Sequence, residues 1–300
     1  MIWLVITLTI TGVVLLLLAI GILTAYVAMT ERRQTLDEAY EWQASHYDLT
    51  WFDRESLKPY TVRGYEGYSL KTFLIPAPKP SDRYVIISHG YTDNRFGAMK
   101  YVKNYLDLGF NCVIYDLRGH GENEKAATTY GVREAVDLLH IIEDTRFRYK
   151  DVKVLGLHGE SLGAATTVTC LKYKPLVDFA VADCPFADID NVFRRGLRDS
   201  FIAPLLIFLG SIGAKLRFGV WFKEMRPVKA LTENTVPMLF IHGAADDFIV
   251  PDNSKRLYAA TKGPKSICFI EGAGHAVSTV TDPVTYNRTV RTFLEDNGLV

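Results

Sequence analysis

Two hydrophobic patterns divide this chain. From Ile2 to Met29 no residue is charged, and Leu, Ile and Val dominate with no polar side. About 20 apolar residues cross the hydrocarbon core of a bilayer, so this segment predicts one transmembrane helix with some tilt. A cleaved leader has an apolar core of about 7–15 residues, basic residues before it and a small-x-small site after it. This segment is too long for that, has no Lys or Arg ahead of it and shows no convincing A-x-A.

Beyond it the apolar residues come in short blocks. Residues 30–57 are polar with interspersed aromatics, Tyr40, Trp42, Tyr47, Trp51 and Phe52. They read as a juxtamembrane helix packing on the following domain, with aromatics at the lipid interface or covering the domain's edge. Residues 60–65 and 69–75 flank Glu66-Gly67, the pattern of a β-hairpin. Strand patterns then alternate with helical ones: 84–88, a helix around 98–108, 111–115, a helix over 131–148, and the strand 152–157. Later strands follow at 179–183, 236–241 and 266–270, with a closing helix over 283–297. Such alternation implies crossover helices and a mainly parallel sheet covered on both faces, an α/β fold.

Residues 201–210 interrupt this scheme with a strongly apolar run too short to span a bilayer. The run predicts a helix of a lid or substrate entrance; its apolar side packs in the core, lines an acyl pocket or touches membrane. Arg194, Arg195 and Arg198 nearby read as solvated helix charges or as contacts for an anionic substrate or headgroups. The parts are thus an anchor at 1–29, a juxtamembrane segment at 30–57 and one domain at 58–300 with a lid-like stretch at about 188–230.

Composition narrows the function. Lys and Arg number 34 against 34 Asp and Glu, and no long basic run occurs, so nucleic acid is not expected as a partner. Cys112, Cys170, Cys184 and Cys268 are widely spaced, with no C-x-x-C, and three lie in or directly after predicted strands as small apolar residues. That usage fits a reducing compartment. Arg32 and Arg33 follow the apolar segment, which by the positive-inside bias places the domain on the cytoplasmic side.

The chemistry lies at the strand ends. Gly159-Glu160-Ser161-Leu162-Gly163 follows a strand and precedes the small-residue helical pattern 164–168. A sharp strand-to-helix turn would present the Ser161 hydroxyl to a base, and the glycines two residues either side let the backbones pass. The strand at 236–241 empties into His242-Gly243-Ala244-Ala245-Asp246-Asp247, and the one at 266–270 into Glu271-Gly272-Ala273-Gly274-His275. Ser161, an acid at Asp246 and His275 stand in the order Ser…Asp…His, each just past a strand. Such a set needs His275 as base, a carboxylate to hold its tautomer and backbone N–H groups for an oxyanion.

From these residues the chain resembles the α/β-hydrolase family, in its serine aminopeptidase-like and esterase branch, which includes single-pass membrane-anchored members. The resemblance runs from about Tyr60 to the C-terminus. Besides the elbow, 242–251 and Gly272-Ala273-Gly274-His275, it rests on Ser88-His89-Gly90-Tyr91-Thr92-Asp93-Asn94 and Tyr115-Asp116-Leu117-Arg118-Gly119-His120-Gly121. It implies that Tyr91 and Leu162 donate the oxyanion N–H groups, that His89 organises its loop and that His120 supports the oxyanion wall. One departure stands out: the family's acid block reads His-Gly-x-x-Asp-x-x-Val-Pro, and here one extra residue precedes Val250-Pro251. Counting forward from His242 selects Asp246 and counting back from Pro251 selects Asp247; Asp246 is favoured, since the turn just past the strand fixes geometry more tightly than a count across the insertion, with Asp247 the alternative acid.

Among the other polar residues, Glu160 reads as a partly exposed elbow residue, Asp116 as structural, and Asp93 and Asn94 as ordering their loop through side-chain to backbone bonds. The expected activity is serine hydrolysis of a small-molecule or lipid-like acyl substrate with no organic cofactor or metal. A carboxylic ester comes first, an amide or peptide second, and a non-catalytic binding module on the same fold third.

Overall fold

The computed structural model describes residues 1–30 and 33–300; Arg32, one of the two cations invoked for orientation, lies outside the described residues. The strands are β1 (Tyr60–Arg63), β2 (Ser69–Ile75), β3 (Arg83–Ser88), β4 (Asn111–Tyr115), β5 (Val154–Glu160), β6 (Phe179–Asp183), β7 (Met238–Gly243) and β8 (Lys265–Ile270). They form one sheet in the order β1-β2-β4-β3-β5-β6-β7-β8. The β1–β2 and β2–β4 pairs are antiparallel and all the others parallel. The hairpin predicted at its turn therefore supplies the antiparallel edge.

The helices are α1 (Ile2–Met29), α2 (Leu36–His46), α3 (Met99–Asp107), α4 (Val132–Arg148), α5 (Leu162–Cys170), α6 (Ile189–Gly196), α7 (Ala203–Phe218), α8 (Asp252–Ala260), α9 (Ser278–Thr281) and α10 (Pro283–Asp296). Period-two alternation sends successive strand residues to opposite layers. Ile86, Val113, Leu157, Ala180 and Phe240 join one core with α4, α5 and α8. Their neighbours Val85, Ile87, Ile114, Val181 and Leu239 join the other with α3 and α10. Both faces of the central strands are buried, which is why these strands read as continuous apolar runs rather than alternating ones.

Residues 30–57, read as a juxtamembrane helix, hold α2 and a 3₁₀ turn at Arg54–Ser56. The α2 helix is started by a capping box in which Thr35 and Glu38 exchange side-chain to backbone bonds. Tyr40, Tyr47, Trp51 and Phe52 pack against the core beneath α3, with Tyr40 edge-on to Phe96 at 5.3 Å, so these aromatics cover the domain's edge.

Between β6 and β7 the chain builds α6, α7 and two short turns, and α7 extends well past the apolar run that predicted it. Its partner is α1. A Cβ on Gly213 would lie 2.1 Å from the Gly21 carbonyl oxygen, and one on Gly21 would lie 2.4 Å from that of Leu209. Only glycine permits so close a crossing, the small-residue packing of helices whose surroundings are apolar. Gly21, Ala25 and Met29, one per turn, are the buried residues of α1.

Candidate active site

At the carboxyl end of β5 the backbone turns through Ser161 with φ 51° and ψ −111°, a strained conformation for a residue with a Cβ. Tight packing holds it there. A Cβ on Gly159 would sit 2.2 Å from the Gly163 carbonyl oxygen, and one on Gly163 2.1 Å from that of Ser88. The turn leaves the Ser161 hydroxyl 3.0 Å from His275 Nε2, and His275 Nδ1 is 2.7 Å from Asp246 Oδ2. Three residues on three separate strand ends, up to 114 positions apart, thus form one hydrogen-bonded line.

Asp246 is buried and heavily solicited. Its Oδ1 accepts the backbone N–H groups of Phe248 at 3.0 Å and Ile249 at 2.8 Å. Its Oδ2 faces both His275 and, at 3.3 Å, His242 Nε2. Burial works to raise its pKa, but bonds from His242 and His275, the nearby imidazole charge and the Ile249 amide outweigh it and hold the carboxyl well below its usual range. An ionised carboxylate only accepts, so His275 Nδ1 must carry the proton, which leaves Nε2 with its lone pair toward Ser161. Asp247 is exposed, and its carbonyl accepts from Arg195 at 3.2 Å. The loop formed by the Phe248 and Ile249 amides closing on Asp246 absorbs the extra residue before Val250-Pro251.

Leu162 is the first residue of α5, and the first amides of a helix have no intrahelical acceptor, so its N–H is available at the elbow. Tyr91, on the loop after β3, lines the same cavity as Ser161 and Leu162. His89 sits beneath that loop. Its Nε2 accepts the Leu117 amide at 2.9 Å and its Nδ1 donates to the Gly90 carbonyl at 2.7 Å. Burial, above all, lowers its pKa to about 3, so it is a neutral structural imidazole. His120 stacks edge-on against His89 and Tyr91. His158 lies behind the sheet end between the hydroxyls of Tyr105 and Tyr286. Asp116 accepts the Arg95 amide and guanidinium, and Asn94 caps the turn at Phe96, both structural roles.

Glu160 corrects the expectation of a partly exposed residue: it is 3% exposed and ion-paired with Lys100. The Tyr101 hydroxyl lies 2.5 Å from a Glu160 oxygen and 3.0 Å from an Asp183 oxygen, so its one proton is shared between the two carboxylates. Burial and the Glu160 charge push Asp183 up to about 6, partly opposed by the Tyr101 bond and Lys100. Lys100 also donates to the Ala276 carbonyl at 3.3 Å. It therefore ties the residue before Ser161 to the residue after His275. Nothing in the local pattern marks Lys100, which the sequence places on a helix face where lysine is ordinarily solvated.

Above Ser161 opens a cavity of about 780 Å³ whose walls include Tyr130, Phe186, Phe193 and Phe222. Phe248 stands edge-on over His275 at 5.2 Å and lines it too. Such a volume and apolar lining with a few convergent polar groups suit a small ligand.

Comparison with known proteins agrees with this architecture. The prolyl oligopeptidase family pattern matches residues 96–297. The protein YqkD of Bacillus subtilis is 32% identical over 300 residues, covering 97% of each chain. The membrane protein YNL320W of Saccharomyces cerevisiae is 24% identical over 65% of this chain and 64% of its own. Among solved structures, the Pyrococcus furiosus esterase Pf2001 superposes with a TM-score of 0.65 at 23% identity, covering 80% of this chain and 92% of its own.

Proposed function

This chain belongs to the prolyl oligopeptidase family of α/β-hydrolases, and from that premise we propose that it is a membrane-anchored serine hydrolase cleaving carboxylic esters through an acyl-enzyme on Ser161. One observation carries the reading: the unbroken line Ser161–His275–Asp246, with distances of 3.0 and 2.7 Å. Direct proton transfer needs about this spacing.

In the proposed cycle the Ser161 oxygen attacks the ester carbonyl carbon while its proton passes to His275 Nε2. Asp246 stabilises the imidazolium that results. The carbonyl oxygen, now anionic, takes the N–H groups of Tyr91 and Leu162. As the tetrahedral adduct collapses, the C–O bond to the alcohol breaks and His275 returns the proton to that oxygen. Water, deprotonated by His275, then attacks the acyl-enzyme, the acid leaves and Ser161 regains its hydrogen.

Family membership also favours amide cleavage, whereas the apolar cavity favours esters. A panel of p-nitrophenyl esters beside aminoacyl-anilides separates them. We expect esters to be turned over at least a hundredfold faster in kcat/KM; anilides at equal or greater rate would establish the peptidase reading, and inertness to both would favour a binding module.

The division into an anchor at 1–29, a juxtamembrane segment at 30–57 and a hydrolase domain at 58–300, with the lid at about 188–230, belongs to the same proposal. Support for the anchor comes from the length and apolarity of α1 and from the relative named a membrane protein. The arginines that follow the apolar segment in the sequence favour, by the positive-inside bias, a domain on the cytoplasmic side. Arg33 has a further job, bonding to Thr128 at 2.7 Å and lying 4.4 Å over the Tyr91 ring. Protease added outside sealed cells is expected to leave the domain intact; its digestion there would reverse the orientation.

A further inference from the structure

Every residue of α1 as far as Leu17 is exposed, and the first buried one is Gly21. Twenty residues, from Ile2 to Gly21, rise about 30 Å, the thickness of a bilayer's hydrocarbon core. The membrane boundary therefore falls where α7 crosses α1, and the last two turns of α1 belong to the protein. The domain grips them firmly. The hydroxyls of Tyr91 and Tyr130 both donate to the Ala28 carbonyl, and the Thr128 amide donates to that of Met29 at 2.9 Å. Tyr91 is the residue of the proposed oxyanion loop, so the end of the anchor is fastened directly to the site.

These same turns wall the cavity. Thr24, Val27 and Ala28 line it from α1, and Leu206 and Ile207 from α7, with Ser161 at its floor. Val27 is 64% exposed at the rim, and on the outer side of α7 Leu205 and Phe208 are 54% and 63% exposed. An apolar rim beside a bilayer-depth helix is unfavourable in water and well matched to acyl chains.

We propose that the substrate is a long-chain ester lipid of the bilayer itself, whose acyl chain enters over the apolar rim that α1 and α7 form beside their crossing to reach Ser161, the anchor helix forming one wall of the acyl site. The proposal rests on Ser161 being the nucleophile and deepens that reading. It makes the anchor part of the binding site as well as a tether. The ester group of a membrane lipid lies at the boundary between hydrocarbon and headgroups, which is the depth of the crossing at Gly21. A soluble polar ester has to pass the same rim, where apolar side chains predominate.

The test uses the full chain in phospholipid nanodiscs and reads the ratio of kcat/KM for a monopalmitoyl glycerol ester to that for p-nitrophenyl acetate. Val27→Trp and Leu206→Trp, filling the cavity from opposite walls, are each expected to lower that ratio at least tenfold. Leu15→Trp, on the exposed face of the spanning part, is expected to leave it within twofold. An unchanged ratio in both cavity variants overturns the proposal, as does wild-type preference for an acylated peptide over the lipid ester. Both of those leave the nucleophile standing. Absence of fluorophosphonate labelling in folded wild type would instead remove the nucleophile and, with it, the proposal.

Discussion

Ser161→Ala is expected to lower kcat for a p-nitrophenyl ester by on the order of 10⁴-fold or more, and His275→Ala by nearly as much. The two groups act as one device. Without the hydroxyl there is nothing to acylate, and without the imidazole the hydroxyl keeps its proton at neutral pH. The double variant should therefore be hardly worse than either single one, its residual activity coming from whatever the oxyanion donors still do. Neither substitution empties a packed core position, since Ser161 is a small side chain facing the cavity and the His275 side chain is 23% exposed. Unfolding midpoints close to wild type would confirm that the loss is chemical. A single variant retaining more than about a tenth of wild-type turnover would contradict the assignment.

The second large effect separates two neighbouring acids. Asp246→Asn is expected to cost about 10³–10⁴-fold in kcat, and Asp247→Asn less than about twofold. An amide at position 246 can donate to His275 Nδ1, which stabilises the tautomer with its proton on Nε2, and that ring cannot accept from Ser161. It also withdraws the charge that His242 faces. The folded-state pKa of Asp246 is depressed, so its contribution to stability is fully present above the unfolded value near 3.9 and is lost as pH falls toward the lowered one. Asp246→Asn should accordingly be less stable than wild type at neutral pH, by a margin that narrows as pH falls below about 4. Denaturant unfolding at pH 7 and pH 3 checks this; an equal margin at both would place the cause elsewhere.

Much of this protein was legible in its sequence because its chemistry follows strand ends. Each buried strand reads as an apolar run, and Ser161, Asp246 and His275 each follow the end of one, so order and local context mark them as a candidate triad, whose side chains the fold brings within hydrogen-bonding distance. Local counting also selected Asp246, because the turn just past β7 fixes its position while the extra residue is absorbed beyond it. Contacts between distant segments left no such trace. Lys100 meets Glu160 and Ala276, 60 and 176 positions away, and its helix gives no sign that this lysine is buried. The crossing of α1 and α7 was hidden for the same reason. Gly21 looks like an isolated helix glycine and Gly210-Ser211-Ile212-Gly213 like an ordinary small-residue turn, and only the approach of the two helices shows what these glycines are for. Read separately, the apolar segment at the N-terminus is an anchor and the one at 201–210 a lid. Packed together they enclose the cavity above Ser161. The α8 helix also escaped notice, since its short span buries only Asn253, Ser254 and Leu257.

The central claim is that an imidazole activates one serine, and covalent trapping tests it most directly. Wild-type protein in nanodiscs, treated with a fluorophosphonate and digested, should carry a single phosphonyl adduct on the peptide containing Ser161, and His275→Ala should abolish it. A folded wild type that takes up no adduct, or takes it up at another residue, would contradict the account.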